Sequence, residues 1–183
     1  MPHVSKTQHT FKHRWSDVFQ ASWKKYPNPR RPDILHVDVI NKEFDPEKGT
    51  LTTTRIVFSK GPIPLWLRPI FGQAVAVFVE EAVMDPKNKT MKMLGVNHTF
   101  DSIVKTEELC TYTPNEENEE WTDFTQQAKE TSFASYGASK VEDFILKQFK
   151  ENASKGREIM EMAIQRVEQE HLAFAAAAQA AFL

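Results

Sequence analysis

Cysteine is almost missing from this sequence, since Cys110 is the only one among 183 residues. An internal disulfide is therefore excluded, and a lone thiol is compatible with reducing and oxidising compartments alike. An excess of one charge is also missing, because 23 basic residues stand against 25 acidic ones. Such a chain lacks the cationic field that holds proteins on nucleic acid, so we expect no nucleic-acid partner.

Long apolar runs are absent as well. The longest, Ala74–Val79 and Phe174–Ala178, fall far short of the roughly 20 residues that a membrane span needs. Met1–Phe11 contain no continuous apolar stretch, so we predict no secretory signal or anchor there. The hydrophobic content of 40% is enough for one domain with a substantial core. We predict this domain at 1–172, followed by an alanine-rich tail at 173–183.

Catalytic and metal-binding patterns are weak. The six histidines show no metal-ligand spacing, and the sequence has no nucleophile elbow and no phosphate-binding glycine loop. The adjacent acids Glu80-Glu81 and Glu107-Glu108 fall in predicted strands, where neighbouring side chains point to opposite faces. Neither pair can act together, and one member of each is expected on the solvent face. The residues therefore give little support to catalysis, and we expect no metal and no cofactor.

Periodicity of apolar residues predicts an α+β fold. Helical spacing runs from Trp15 to Tyr26 and stops at Pro27. A second helix is predicted from Lys140 onward, with Ser139 and Glu142 as a capping box. Alternating segments predict strands at Thr7–Phe11, from Ile34, at Thr50–Ser59, Gln73–Met84, Thr90–Phe100, Val104–Thr113 and Trp121–Thr131. The simplest architecture is a curved antiparallel sheet of about seven strands that grips the long C-terminal helix.

The connection Gly61–Gly72 is unusually apolar for a loop. It contains three prolines, which deny it a regular strand ladder. We interpret it as a lid that contacts a membrane, because exposed apolar patches mark contact sites. A short helix from Leu65, packed permanently on the sheet, is the alternative. The predicted lid and membrane-contact residues are Ile63, Leu65, Trp66, Leu67, Ile70 and Phe71.

One face of the C-terminal helix is apolar except in its middle. Its apolar members are Val141, Phe144, Ile145, Phe149, Ile159, Met160, Ala163 and Val167. Asn152 interrupts this face, with Gln148 and Lys155 one turn to either side. This pattern is typical of contact with an apolar ligand that has a polar end, and Lys155 predicts an anion such as phosphate. In the alternative, Lys155 extends to the rim and Asn152 bonds to the sheet backbone.

Lys25 and Arg55 are further candidates for the same anion. Lys25 follows the first predicted helix, and Arg55 stands in a strand otherwise made of threonines and aliphatic residues. Each alone is more often a solvated surface cation. Only proximity in the fold makes them a site.

Several motifs in order resemble the PRELI/slowmo family of mitochondrial intermembrane-space phospholipid-transfer proteins. The resemblance extends from Thr7 to Glu168. The motifs are Trp23-Lys24-Lys25-Tyr26-Pro27-Asn28-Pro29, Gly49–Arg55, Pro64–Gly72, Val83-Met84-Asp85-Pro86, Tyr112-Thr113-Pro114, Lys140–Phe144 and Phe149–Glu158.

This resemblance implies a carrier and not an enzyme. The cargo would be one phosphatidic acid or phosphatidylserine per cavity, moved between mitochondrial membranes across the intermembrane space with transient contact to the membrane surface. The implied fold is similar to phosphatidylinositol-transfer and START-like lipid binders. A small helical partner with twin cysteine motifs is also implied. Two alternatives are a hydrolase or isomerase that uses an acid with His36 or His98, and an interaction protein whose 61–72 segment docks to a partner.

The family's headgroup positions match Lys25, Asn152 and Lys155, and Trp66 matches an apolar lid position. Gln148 stands where phosphatidic-acid carriers have another lysine, and Asp33 replaces an imidazole. Both departures lower the local positive charge. They leave room for phosphatidylserine, whose amine Asp33 is expected to accept.

Overall fold

The computed structural model describes residues 3–61, 75–102, 104–133 and 138–180, except the side chains of 138–142, 145 and 146. Within these ranges there are seven strands and two helices. The strands are β1 (His3–Phe11), β2 (Ile34–Asp45), β3 (Thr50–Ser59), β4 (Ala76–Asp85), β5 (Thr90–Asn97), β6 (Val104–Pro114) and β7 (Thr122–Ser132), and the helices are α1 (Trp15–Lys24) and α2 (Ala138–Ala180).

All seven strands form one antiparallel sheet in the order β1-β7-β6-β5-β4-β3-β2. Strands β2 to β7 pair with their sequence neighbours, and β1 closes the other end by pairing with β7. The helix α2 packs against α1, β7 and β1. The predicted α+β fold, in which a curved sheet grips a long C-terminal helix, is therefore confirmed.

Several predicted boundaries move for identifiable reasons. β1 begins at His3 instead of Thr7, because its first residues pair with β7. β5 ends at Asn97, before Phe100. The Asn97 amide bonds to the carbonyls of Thr99 and Val104 and so organises the turn. At Phe100 the backbone has a positive φ of 63°, which a continuing strand does not allow.

The predicted capping box at the start of α2 is wrong. Ser139 already lies inside the helix, one residue after Ala138, whereas an N-cap residue has non-helical backbone angles. At the other end the helix continues to Ala180, so most of the predicted alanine-rich tail is helical. The division between 172 and 173 stays a prediction.

The core lies between the sheet, α1 and the C-terminal half of α2. Its fully buried members include Phe11, Val18, Met84, Met91, Ile164 and Val167. Strand β2 is a different case, because Leu35 and Val39 are exposed at this sheet edge. Their alternation predicted a strand correctly, but it did not place these side chains in the core.

None of the helices within the described residues is long and apolar enough to cross a membrane. The predicted lid residues Ile63, Leu65, Trp66, Leu67, Ile70 and Phe71 lie outside the described residues. The lid and the alternative of a packed helix from Leu65 therefore both stay predictions.

Candidate functional site

A cavity of about 400 Å³ lies between the concave face of the sheet and the N-terminal half of α2. Much of its wall is apolar. The apolar lining includes Phe11, Val57, Phe78, Tyr112, Phe124, Phe144, Ala153 and Met160. Gly61 and Ala76, close to the two ends of the segment 62–74, also line it. The interrupted apolar face of α2, which the sequence indicated, is thus the face that meets this space.

The loop between α1 and β2 supplies a cation and an ion pair to the cavity wall. Lys25 caps the C-terminal end of α1, where a positive charge suits the helix dipole. Its ammonium lies 5.4 Å from the centre of the Tyr26 ring and forms no ion pair with a described residue. Arg31 instead forms a bidentate ion pair with Asp33, in which Arg31 Nε donates to Asp33 Oδ1 at 2.9 Å and Arg31 Nη2 donates to Asp33 Oδ2 at 2.7 Å.

This pair sets the charge state of Asp33. Partial burial alone raises the pKa of its carboxyl group. The hydrogen bonds and charge of Arg31 outweigh burial, and the charge of Lys155 adds to them, so the net pKa is lowered. Asp33 is therefore an ionised carboxylate that already has its cation.

Arg55 does not line the cavity. It is only 6% exposed, and its Nε donates to Glu80 Oε1 at 2.8 Å. A second guanidinium nitrogen also binds that oxygen, Nη1 lies 3.4 Å from the carbonyl oxygen of Ser22, and the Trp23 ring lies 5.2 Å away. Glu80 lines the cavity, and Arg55 neutralises its charge from the opposite position on β3. The expectation that Arg55 binds a headgroup directly does not fit this placement.

Four polar residues of α2 separate into two groups. Gln148, Asn152 and Arg157 line the cavity, and none of them forms an ion pair or hydrogen bond with a described residue. Lys155 is exposed and does not line it. Lys155 is therefore not the buried ammonium that the sequence predicted, and its exposure agrees with the alternative in which it extends away from the cavity. The other half of that alternative is wrong, because Asn152 forms no hydrogen bond with the described sheet backbone.

Arg157 is the cation that our sequence reasoning did not assign to the site. It lies one turn after the buried Ala153 and one turn before the buried Met160, so its helical spacing carried the signal. The loop before β2 is tied to this part of α2, because Arg30 Nη1 lies 3.2 Å from Glu158 Oε2.

Glu108 of β6 brings a negative charge into the same wall. Gln126 Nε2 donates to Glu108 Oε1 at 2.9 Å, and Cys110 Sγ lies 3.4 Å from the same oxygen. Burial raises the pKa of the Cys110 thiol, and the Glu108 charge raises it further. Glu107, next to it, points to the opposite face and pairs with Lys105 and Lys129. The predicted separation of these adjacent acids is confirmed.

The charges of the wall nearly cancel once their partners are counted. Arg31 and Asp33 neutralise each other, and Glu80 is neutralised by Arg55. Among the described lining residues this leaves two cations, Lys25 and Arg157, and one anion, Glu108. No described histidine lines the cavity, and both His36 and His98 are exposed.

Known proteins with similar sequences belong to one family. Residues 16–170 match the model of the PRELI-like family. The chain is 46% identical over 170 residues to "Protein slowmo homolog" of Dictyostelium discoideum, covering 93% of this chain and 75% of that protein. It is 33% identical over 167 residues to "Protein UPS1, mitochondrial" of Saccharomyces cerevisiae, covering 91% and 95% of the two chains.

Two solved structures share the fold at low identity. The TTHA0849 protein of Thermus thermophilus has a TM-score of 0.62 at 11% identity, covering 90% of this chain and 98% of its own. The ZhuI aromatase/cyclase of a Streptomyces species has a TM-score of 0.60 at 8% identity, covering 91% and 96%. These likenesses concern the fold alone. Because the family match extends over most of the chain and the relatives are similar over nearly its whole length, this protein belongs to the PRELI-like family.

Proposed function

We propose that this protein carries one anionic glycerophospholipid, phosphatidic acid or phosphatidylserine, between mitochondrial membranes across the intermembrane space. The observation that carries the proposal is the cavity beneath α2, apolar over much of its wall and lined by two cations without an acidic partner among the described residues. Such a space suits a molecule with hydrocarbon chains and an acidic head.

The electrostatics favour a phosphate near Lys25 and Arg157. Both side chains line the cavity, and neither is paired with a carboxylate of the described residues. A cation in a partly desolvated wall gains most from an anion that reaches it there. Gln148 and Asn152 add amide donors on the same helix face.

The cavity volume bears on how the lipid is held. About 400 Å³ lies in the lower part of the roughly 300–1,000 Å³ range of ligand pockets. We expect the headgroup and glycerol inside, and acyl chains that displace side chains or extend outward. Extraction needs little net work, because each methylene exchanges one apolar environment for another and keeps about 0.8 kcal/mol of burial.

The two alternatives have less support. A hydrolase or isomerase that uses His36 or His98 needs a histidine at the cavity, and these two are exposed away from its described lining. If the protein only docked to a partner, the apolar cavity and the two lining cations without an acidic partner among the described residues would have no role. The proposal therefore includes transfer without chemical change of the lipid.

Compartment and partner belong to the proposal too. A curated relative is named as mitochondrial, which supports a mitochondrial location here. The intermembrane space and the twin-cysteine helical partner follow from the family resemblance, and the predicted lid segment 61–72 is kept as the membrane contact.

The test is transfer of labelled lipid from donor to acceptor liposomes, with Arg157→Glu compared with the parent. We expect the parent to transfer lipid and the variant to lose at least about tenfold, since a carboxylate repels the phosphate. Lys150→Glu is the matched control, because Lys150 is exposed on the same helix, does not line the cavity and undergoes the same charge change.

Two outcomes would contradict the proposal. Equal loss in both variants would mean that net charge at the membrane, and not the cavity, governs transfer. In the second outcome, the parent protein is folded and yet moves no lipid and yields none on solvent extraction and mass spectrometry. That result would favour the alternative of an interaction protein. Recovery of hydrolysed or rearranged lipid would favour the enzyme.

A further inference from the structure

Glu108 is a carboxylate in the cavity wall with no cation of its own. It lies on the concave face of β6, in line with Cys110 and Tyr112, which also line the cavity. The other two acids of the lining are neutralised, Asp33 by Arg31 and Glu80 by Arg55. Within the described residues, Glu108 forms no ion pair.

The hydrogen bonds of Glu108 orient its carboxylate and engage only one of its two oxygens. Both protein donors, Gln126 Nε2 at 2.9 Å and Cys110 Sγ at 3.4 Å, reach Oε1. No described residue donates to Oε2. Gln126 is only 8% exposed, and its own Oε1 accepts from Thr7 Oγ1 at 3.4 Å. The carboxylate is thus held by a buried amide with one oxygen left for another donor.

A partly desolvated carboxylate without a cation is unfavourable, and a cationic ligand group removes that cost. The protein cations do not fill this role, because Arg31 is engaged by Asp33 and Lys25 forms no ion pair with a described residue. Lys25, Glu108 and Cys110 all line the same cavity. Burial raises the pKa of the Cys110 thiol, Glu108 raises it further and Lys25 lowers it. The cavity wall therefore carries charges of both signs.

We propose that Glu108 selects for a headgroup that carries an ammonium beside its phosphate, with Glu108 Oε2 as the acceptor of an ammonium N–H and Lys25 and Arg157 facing the phosphate. The inference rests on the proposed function, favours phosphatidylserine over phosphatidic acid, and adds phosphatidylethanolamine as a lipid with the same ammonium and phosphate groups. It also moves the amine acceptor from Asp33, whose oxygens are occupied by Arg31, to Glu108.

Two lipids carry both an ammonium and a phosphate, phosphatidylserine and phosphatidylethanolamine. Comparing them with two lipids that lack the amine separates the contribution of the ammonium from that of the phosphate. Phosphatidylglycerol has the phosphodiester without an amine, and phosphatidic acid has the phosphate alone. The parent protein is expected to transfer the two amine lipids faster than the other two. A faster rate for phosphatidylserine than for phosphatidylethanolamine would mean that the serine carboxylate also uses a cation of the wall.

Glu108→Gln is the diagnostic variant, because it keeps an oxygen that accepts from Gln126 and removes only the charge. Loss of a charge-assisted hydrogen bond should lower transfer of both amine lipids about tenfold or more. Transfer of phosphatidylglycerol and phosphatidic acid should stay unchanged or rise. The matched control is Glu107→Gln, the adjacent acid on the opposite face of β6, which should leave all four rates as in the parent.

The outcomes separate this inference from the function on which it rests. If the parent moves none of the four lipids, the carrier function fails. If it moves lipids but treats phosphatidylglycerol like the amine lipids, selection by Glu108 is overturned. It is also overturned if a Glu108→Gln protein that unfolds at the same temperature as the parent changes all four rates equally. Thermal unfolding reports the folding of each variant, and the first comparison needs only the parent protein, so a poorly folded variant does not remove the test.

Discussion

Arg55 lies beside the cavity as the buried half of an ion pair with Glu80, its partner across β3 and β4. Its guanidinium binds the carboxylate of Glu80, contacts the Ser22 carbonyl and lies over the Trp23 ring. Such a residue joins α1 to β3 and β4 and compensates the charge of an acid of the lining. Lys25, by contrast, lines the cavity with its charge unpaired by the described residues.

Substitution by alanine should separate these two roles. Arg55→Ala leaves Glu80 without its cation, so we expect a loss of about 3 kcal/mol in the free energy of unfolding. Lys25→Ala should cost less than about 0.5 kcal/mol of stability and still slow lipid transfer. Urea unfolding followed by liposome transfer measures both. A stable Arg55→Ala protein would show that the buried pair contributes little.

Glu130 is a buried acid, 8% exposed, for which the proposed function has no use. Burial raises its pKa, the Glu108 charge raises it further, and His3 acts in the opposite direction. The folded state therefore binds the proton of Glu130 more tightly than the unfolded state does. The resulting contribution to the free energy of unfolding is complete below the unfolded pKa of about 4.3, and it is lost as pH rises through the pKa of the folded state.

Glu130→Gln should therefore be more stable than the parent at pH 7, and the gain should vanish below about pH 4. Thermal unfolding across a pH series measures it. Glu81→Gln, exposed on the other face of the sheet, is the control. A Glu130→Gln protein less stable than the parent at neutral pH would mean that the ionised carboxylate has a stabilising role.

The helix α2 serves different purposes along its length. Ile159, Met160, Ile164 and Val167 are buried in the core beside α1 and the sheet. Earlier in the helix, Phe144, Gln148, Asn152, Gly156 and Arg157 meet the cavity. One rigid element thus holds the cavity wall in place through the packing of its second half.

Gly156 lies where these two parts meet, and a Cβ at this position would have no neighbour within 4 Å. Glycine inside a helix costs about 1 kcal/mol relative to alanine. Gly156→Ala should therefore stabilise the protein by roughly 0.5–1 kcal/mol, measured by urea unfolding. Ser154→Ala, exposed on the same helix, is the control. Destabilisation by Gly156→Ala would mean that the helix must bend or approach a neighbour here.

At the scale of the molecule, the C-terminal end of α2 extends past the packed part. His171 contacts α1, with Nε2 at 3.2 Å from Gln20 Oε1 and Nδ1 at 3.4 Å from Asp17 Oδ1. Beyond it the side chains are largely exposed, and Phe174 is 77% exposed. Residues 173–180 are therefore expected to contribute little to the free energy of unfolding.

A chain that ends at Leu172 should unfold within about 2 °C of the full chain, because the described part of the removed segment, 173–180, is largely exposed. Its lipid transfer should also be unchanged. Calorimetry and the liposome assay test both statements. A large fall in melting temperature, or loss of transfer with normal stability, would assign the segment 173–183 a structural or membrane-binding role and contradict the predicted boundary.

Local pattern was sufficient for the elements of this fold. The many β-branched residues of Thr50–Ser59 predicted β3 with its observed bounds, and helical spacing from Trp15 predicted the start of α1. Both signals are local, because β-branched side chains favour the extended backbone and side-chain direction repeats every 3.6 residues in a helix. The motif order also sufficed for the family, which the comparisons bear out.

Only the tertiary structure decided which charges are free. Arg55, Lys25, Lys155 and Arg157 are all basic in the sequence, yet one is neutralised by Glu80, two line the cavity and one is exposed. Partners such as Glu80 and Gln126 come from the adjacent strand of the sheet, through its register. The sequence by itself therefore determined fold class, family and, through Gln148 and Asn152, part of the polar interruption of α2. Pairing depends on distances between residues that are far apart in sequence, so the availability of each charge was decided by the folded molecule.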